Sequence, residues 1–326
     1  MKTLHLFLRT VVLAAACAAS LSAQAQAQPW PTKPLQMFVP QGAGGSTDSI
    51  ARLVGQVLGE RLRQTVVIDN RAGAGGVLGV AAAAKAPADG HALLIGSNTT
   101  MAANTFLYAN FPVDPLKDFV PLALAADAPF VLVVAAASPL KTVRDLVAAA
   151  KAAPGKLNYG SGTSSALLCA EQLKAAAGID LTRVPYKSSA QALTDMLGGQ
   201  PLDVICEPLS SSAPHIKAGR LRALAQTGGQ RSTLAPELET VAEAGIKGMN
   251  YSAWVAFFAP AGTPRDITTR LGSELAAILK DPGTSEKIRS IGFDPRPGDA
   301  DALAALHRSE LSTLSATVKA AGIKAE

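Results

Sequence analysis

Short apolar runs alternate along the chain with longer segments whose apolar positions recur every three or four places, the signatures of strands and helices in turn. Leu35–Pro40 reads as a strand, and Ser46 to Leu62 as a helix with Ile50, Leu53, Val54, Val57, Leu58 and Leu62 on one face. Thr65–Asp69 is the next strand. Gly75-Gly76 opens a helix that ends near Lys85, and His91–Gly96 is a third strand. This β-α-β-α-β rhythm predicts a parallel sheet with helices on both faces.

Phe130–Val134 is a continuous apolar run of the kind that crosses a core. A helix from Val143 to Lys151 stops at Pro154-Gly155, and a short strand, Leu157–Gly160, follows. Helices at Ala166–Ala177, Ala190–Leu197 and Ala213–Ala218 then alternate with strands at Arg183–Tyr186, Asp203–Cys206 and Leu221–Ala225. Trp254–Phe258 is a second crossing run, and helices are predicted over Arg265–Leu279, Ser285–Ile291 and Ala300–Ala320. Two crossings predict an α/β protein of two lobes, residues 28–127 plus 254–326 and residues 128–253. A ligand cleft is expected between them, where open α/β sheets place it, at the carboxyl ends of the strands.

The amino terminus changes the functional picture. Lys2 and Arg9 precede an apolar run, Thr10–Ala16, and small residues lead to Ala23-Gln24-Ala25, a cleavage pattern repeated at Ala25-Gln26-Ala27. A secretory signal peptide over residues 1–25 is predicted, because the run is too short to span a bilayer. Leu13 stands one place too far from Cys17 for a lipoprotein signal, so Cys17 is read as a small residue of the export signal rather than a lipid anchor. No later stretch is apolar for the roughly 20 residues a spanning helix needs. The mature chain is expected to be periplasmic, where ATP and reduced nicotinamide are scarce.

The formal charge of +5 falls by two when Lys2 and Arg9 leave, and no block of Lys or Arg accompanies it, so nucleic acid is not an expected partner. His91, His215 and His307 are far apart in sequence and share no metal-ligand spacing, so no metal and no cofactor is expected. Cys169 and Cys206 could pair in an oxidising compartment; the favoured reading is two lone buried thiols.

Two glycine- and hydroxyl-rich loops carry the candidate chemistry. Gln41-Gly42-Ala43-Gly44-Gly45 leaves a strand and enters a helix at Ser46, with Asp48 in the first turn. Glycines let a backbone approach a ligand, and a helix start offers bare N–H groups that favour an anion. Ser46 is a candidate cap, and a β-branched side chain at Gly44 is expected to obstruct a bound carboxylate. No Gly-Lys-Ser/Thr follows, so the loop is not a nucleotide P-loop. Asn70 to Gly79 misses the dinucleotide spacing at Leu78 and reads as a second tight helix entry facing the crevice. In the second lobe, Ser161, Gly162, Thr163, Ser164 and Ser165 place four hydroxyls before a helix. A nucleophilic serine is disfavoured because Tyr159 replaces the first glycine of GxSxG. Ser97 and Asn98 follow the third strand, and Asp203 and Glu207 bracket a strand of the second lobe.

Together these segments resemble the periplasmic substrate-binding proteins of tripartite tricarboxylate transporters, the TctC or Bug family. The resemblance runs from Trp30-Pro31-Thr32-Lys33-Pro34 through Val39–Asp48, Asn70–Gly76, Pro154–Tyr159, Val184-Pro185-Tyr186-Lys187 and Leu197–Gln200 to Ala259–Pro264. It implies a two-lobed, type II-like periplasmic binding fold that closes on a small carboxylated anion and then docks on membrane permease subunits. It also implies that loops like Gln41–Gly45 and Tyr159–Ser165 grip one carboxylate, partly through ordered waters. Ser97, Asn98, Asp203 and Glu207 are read, from their places beside strands, as setting specificity at the other end. The sequence departs from the family at Gln41, where an aromatic residue is usual, and in a Tyr159–Ser165 loop about two residues shorter than usual. A monomeric solute-binding protein is expected rather than an enzyme. A sensor-linked binding protein and a hydrolase using Ser161 or Ser164 are the alternatives.

Overall fold

In the computed structural model, which describes residues 30–323, the opening rhythm forms β1 (Leu35–Val39), α1 (Ser46–Leu62), β2 (Val66–Asn70), α2 (Val77–Ala84) and β3 (Ala92–Ser97). The signal-peptide reading, with Cys17 and the cleavage pattern, lies outside the described residues. Helix α1 forms because Ile50, Ala51, Val54, Gly55, Leu58 and Leu62 make one buried stripe. It ends at Arg63, whose φ of 55° is left-handed. Its N-cap is Gly45, which makes no side-chain cap, so Ser46 is the first helical residue and not the expected cap. After β3 a π-helical turn, Thr99–Ala103, runs into α3 (Asn104–Leu107).

The spine of the molecule is β4 (Phe119–Ala135), which runs well upstream of the apolar stretch that predicted it. Its first part pairs antiparallel with β9 (Ser252–Pro260) and with β10 (Asp294–Gly298). Its second part pairs with β7 (Val204–Pro208) and β8 (Leu221–Gln226). Strands β2, β1 and β3 extend the first half, β1 lying parallel to both neighbours and β3 antiparallel to β9. In the second half β5 (Asn158–Ser161) lies parallel between β6 (Thr182–Pro185) and β7. The full order is β2-β1-β3-β9-β4-β7-β5-β6.

Helices cover both faces of each half. In the second half these are α4 (Val143–Ala152), α5 (Ser164–Ala177), α6 (Ser189–Leu197) and α7 (Leu209–Lys217). The chain closes with α8 (Arg265–Lys280), α9 (Pro282–Ser290) and α10 (Ala300–Ala320). Leu303 of α10 packs with Phe38, Leu94, Trp254 and Phe258, whereas Leu314 and Val318 pack with Phe130, Leu168 and Tyr251. One helix therefore packs into an apolar cluster of each half.

Cys169 on α5 and Cys206 on β7 are bonded to each other, which corrects the expectation of two lone thiols. Helix α5 packs across β7 and brings their Cα atoms to 6.1 Å, within disulfide range. Alkylation of the denatured protein is expected to add no mass until a reductant is supplied, and then to modify both sulfurs. Modification without reductant would contradict the pairing.

Candidate functional site

The parallel strands of both halves end at one gap. β1, β2 and β3 arrive from one side and β5, β6 and β7 from the other, and each turns into a helical segment there. The resulting cleft has a volume of about 570 Å³. One wall carries Gln41, Gly42, Ser46, Thr47, Gly75, Gly76 and Ser97 to Thr100; the other carries Thr163, Ser164, Ser165, Ser189, Pro208 and Ser210. Phe130, Trp254 and Phe293 add apolar surface. The halves touch directly where Thr99 Oγ1 and Ser165 Oγ lie 3.0 Å apart.

Helix starts give this gap its chemistry. The α1 amides of Ser46, Thr47 and Asp48 have no protein acceptor among the described residues. At α5 the Thr163 hydroxyl accepts from Ala166 N at 3.1 Å, which leaves the amides of Ser164 and Ser165 bare. At α6 the Ser188 hydroxyl caps Gln191 N in the same way, leaving Ser189. Such unpaired amides, at the positive ends of helix dipoles, favour a carboxylate.

The β1–α1 loop is held by Asp48, which is not on the cleft wall. Its Oδ2 accepts from Gly44 N and from Arg52 Nε, both at 2.9 Å, and its Oδ1 accepts from Asn70 Nδ2 at 2.9 Å. Burial pushes its pKa up, but the bonds from Arg52, Gly44 and Asn70 together hold it below the usual carboxylate value. The side chain predicted to touch ligand instead shapes the loop whose Gln41 and Gly42 line the cleft. Ala43, Gly44 and Gly45 also lie off the wall. A Cβ on Gly44 would meet no protein atom within 4 Å, so the protein constraint on this glycine is its φ of 83°. The second glycine loop does face the gap, and a Cβ at Gly79 would come within 2.5 Å of Pro40 Cα, so α2 abuts the end of β1.

Ser161 and Gly162 line an adjoining chamber that shares Thr163 and Ser164 with the cleft. The Ser161 hydroxyl accepts from Arg183 Nε at 2.8 Å. A guanidinium cannot take a proton, so this contact does not activate a nucleophile. The histidines are engaged elsewhere: His91 with Thr32 N, His215 with Arg220 and His307 with Met101 O.

Asp203 and Glu207 are not brought to the cleft. Asp203 precedes β7 at the end remote from the gap, where its Oδ2 accepts from Asn158 N at 2.7 Å. Glu207 is fully buried beneath the first turn of α7, with Ser211 Oγ donating to its Oε2 at 3.3 Å. Burial raises its pKa against the opposing hydrogen bonds of Ser189 and Ser211. Ser189 and Ser210 are the wall residues that sequence reasoning passed over, whereas Thr99 and Thr100 reach the crevice with Ser97 and Asn98. Ser189 precedes the predicted helix start at Ala190, and Ser210 precedes the one at Ala213; the strand-to-helix transitions themselves were the available signal.

The sequence profile described as "Tripartite tricarboxylate transporter family receptor" matches residues 50–323. BugT of Bordetella pertussis is 34% identical over 327 aligned positions that cover 99% of this chain and 98% of that protein. Among solved structures, R. palustris Rpa4515 with adipate is 35% identical at a TM-score of 0.76, covering 91% of this chain and 100% of that one. MatC (Rpa3494) from Rhodopseudomonas palustris, with bound malate, is 28% identical at a TM-score of 0.72, covering 89% and 100%.

Proposed function

Because the chain belongs to the tripartite tricarboxylate transporter receptor family, we propose that it captures a small carboxylated organic anion in the periplasm and delivers it to permease subunits in the membrane. The observation that carries this reading is the cleft between the halves, with bare amides at the starts of α1, α5 and α6 and hydroxyls from both walls. The adipate of Rpa4515 and the malate of MatC, both dicarboxylates, support the ligand class.

The mechanism is hinge closure. We assign residues 30–127 with 254–323 to one lobe and residues 128–253 to the other, which puts the hinges where β4 and the segment entering β9 cross between them. A carboxylate gripped by amides of both lobes binds the closed form better than the open one, and this differential affinity drives closure. Closure brings two surfaces into one face for the permease to read. No helix among the described residues is long and apolar enough to cross a membrane.

Thermal unfolding in a panel of mono- and dicarboxylates tests the reading. A ligand present at a hundred times its Kd stabilises the native state by about 2.7 kcal/mol, which raises the melting temperature by several degrees. A panel of organic acids that leaves the transition unmoved would overturn the assignment.

A further inference from the structure

Beside the cleft lies a chamber of about 770 Å³, and the two share Gly75, Thr163 and Ser164 as a common wall. Its sides come from both halves, Gly75 and Tyr108 facing Ser161, Arg183 and Lys187. Among the described residues the charges in it are unequal. Its acid, Glu171, has a side chain only 10% exposed. The Tyr159 hydroxyl donates to Glu171 Oε1 at 2.5 Å and Lys174 Nζ donates to the same atom at 3.1 Å. Burial and the neighbouring Glu171 keep the Tyr159 phenol far above its ordinary pKa, so it adds no negative charge. Arg183 and Lys187 have no carboxylate within salt-bridge distance among the described residues. The bond from Arg183 Nε to Ser161 Oγ at 2.8 Å fixes the guanidinium plane and leaves its two terminal nitrogens for another acceptor. That remaining fork matches the two oxygens of a carboxylate.

We propose that this chamber is a second anion subsite, in which Arg183 and Lys187 receive the distal carboxylate of an elongated dicarboxylate whose first carboxylate lies in the cleft. The inference rests on carboxylate capture and narrows it to a class: linear dianions long enough to pass round the start of α5. A monocarboxylate of the same length leaves both cations to water, so it gains the cleft contacts alone.

Isothermal titration with α,ω-dicarboxylates of increasing length tests this, each paired with the monocarboxylate of equal length, on wild type, Arg183→Gln and Lys187→Gln. In wild type at least one dicarboxylate is expected to bind about tenfold or more tightly than its partner, the scale of one charge-assisted contact. Each substitution is expected to remove about that factor from the dicarboxylate and to leave the monocarboxylate within about twofold. Lys187→Gln guards against an indirect effect of Arg183 on the loop through Ser161, because Lys187 Nζ has no protein partner among the described residues. Equal affinity for the paired ligands in wild type, or equal losses for both in the variants, overturns the subsite and leaves carboxylate capture standing. Failure of every carboxylate to bind wild type overturns both.

Discussion

Gly162→Ala is expected to weaken carboxylate binding roughly a hundredfold and to cost about 1–3 kcal/mol of stability. Gly162 ends the β5 turn where it meets the turn leading into α6. A Cβ there would overlap the Ser188 carbonyl and the Ser189 amide. Both are backbone atoms, so no side-chain rotation relieves the clash, and one of the two turns must retreat. The retreat carries with it either the Ser164 and Ser165 amides or that of Ser189, which belong to the cleft wall. Hydrogen bonds to a charged group are worth about 1.5–3 kcal/mol each, so misplacing one or two of them gives the stated loss. Gly42→Ala supplies the contrast. Gly42 lines the same cleft, yet a Cβ there meets nothing within 4 Å, so its stability should match wild type. Calorimetric titration and thermal unfolding of the two variants read both effects. Unchanged affinity in Gly162→Ala would take the α5 and α6 starts out of the ligand site.

Most of the architecture was legible because burial writes a period into the chain. The α1 stripe and the limits of α10 follow directly from it. The failures have particular causes. Pro121 and Pro129 argue against a strand interior, so the first part of β4 was hidden; it survives because the pairing with β9 is irregular around Pro121 and Ala123. β10 contains Pro295 and Pro297 and pairs only with β4, an edge position that tolerates them. At the site, the loops that begin α1 and α5 were readable from glycine and hydroxyl content. The individual roles were not, because Asp48 looks the same in sequence whether it faces a ligand or its own loop. Asp203 is the instructive case. A parallel strand presents its carboxyl end to the ligand, and Asp203 stands before the amino end of β7. Glu207 is at the correct end but shares the face of Ile205, which packs against the helices.

Glu310→Gln is expected to raise stability at pH 8 by an amount of the order of 3 kcal/mol and to change little at pH 4.5. Glu310 projects from α10 toward Asn98 and feels Asp127 and Arg296 of β4 and β10. Burial pushes its carboxyl up to about 7, Asn98 opposes this, Asp127 adds to it and Arg296 opposes it. An unfolded glutamate ionises near 4.5, so between these values the folded protein holds a proton that the unfolded chain has released. Stability from this group therefore falls as pH rises from about 4.5 to about 7 and is level above. Other buried groups titrate nearby. Burial raises Asp127 and Glu207 as well, giving the same sign, whereas burial lowers His307, so that stability is lost as pH falls through its ordinary range. Glu207 and His307 are common to both proteins and Asp127 couples to Glu310, so the difference between wild type and variant across pH 4.5 to 8 reports Glu310 together with its effect on Asp127. Denaturant unfolding measures it, and a difference independent of pH would reject a buried titrating carboxyl. The consequence reaches the ligand. Asn98 is a wall of the cleft, so a carboxylate bound against it meets a charged Glu310 above pH 7 and a neutral one below. Affinity is then expected to decline above pH 7 in wild type and to stay level in Glu310→Gln.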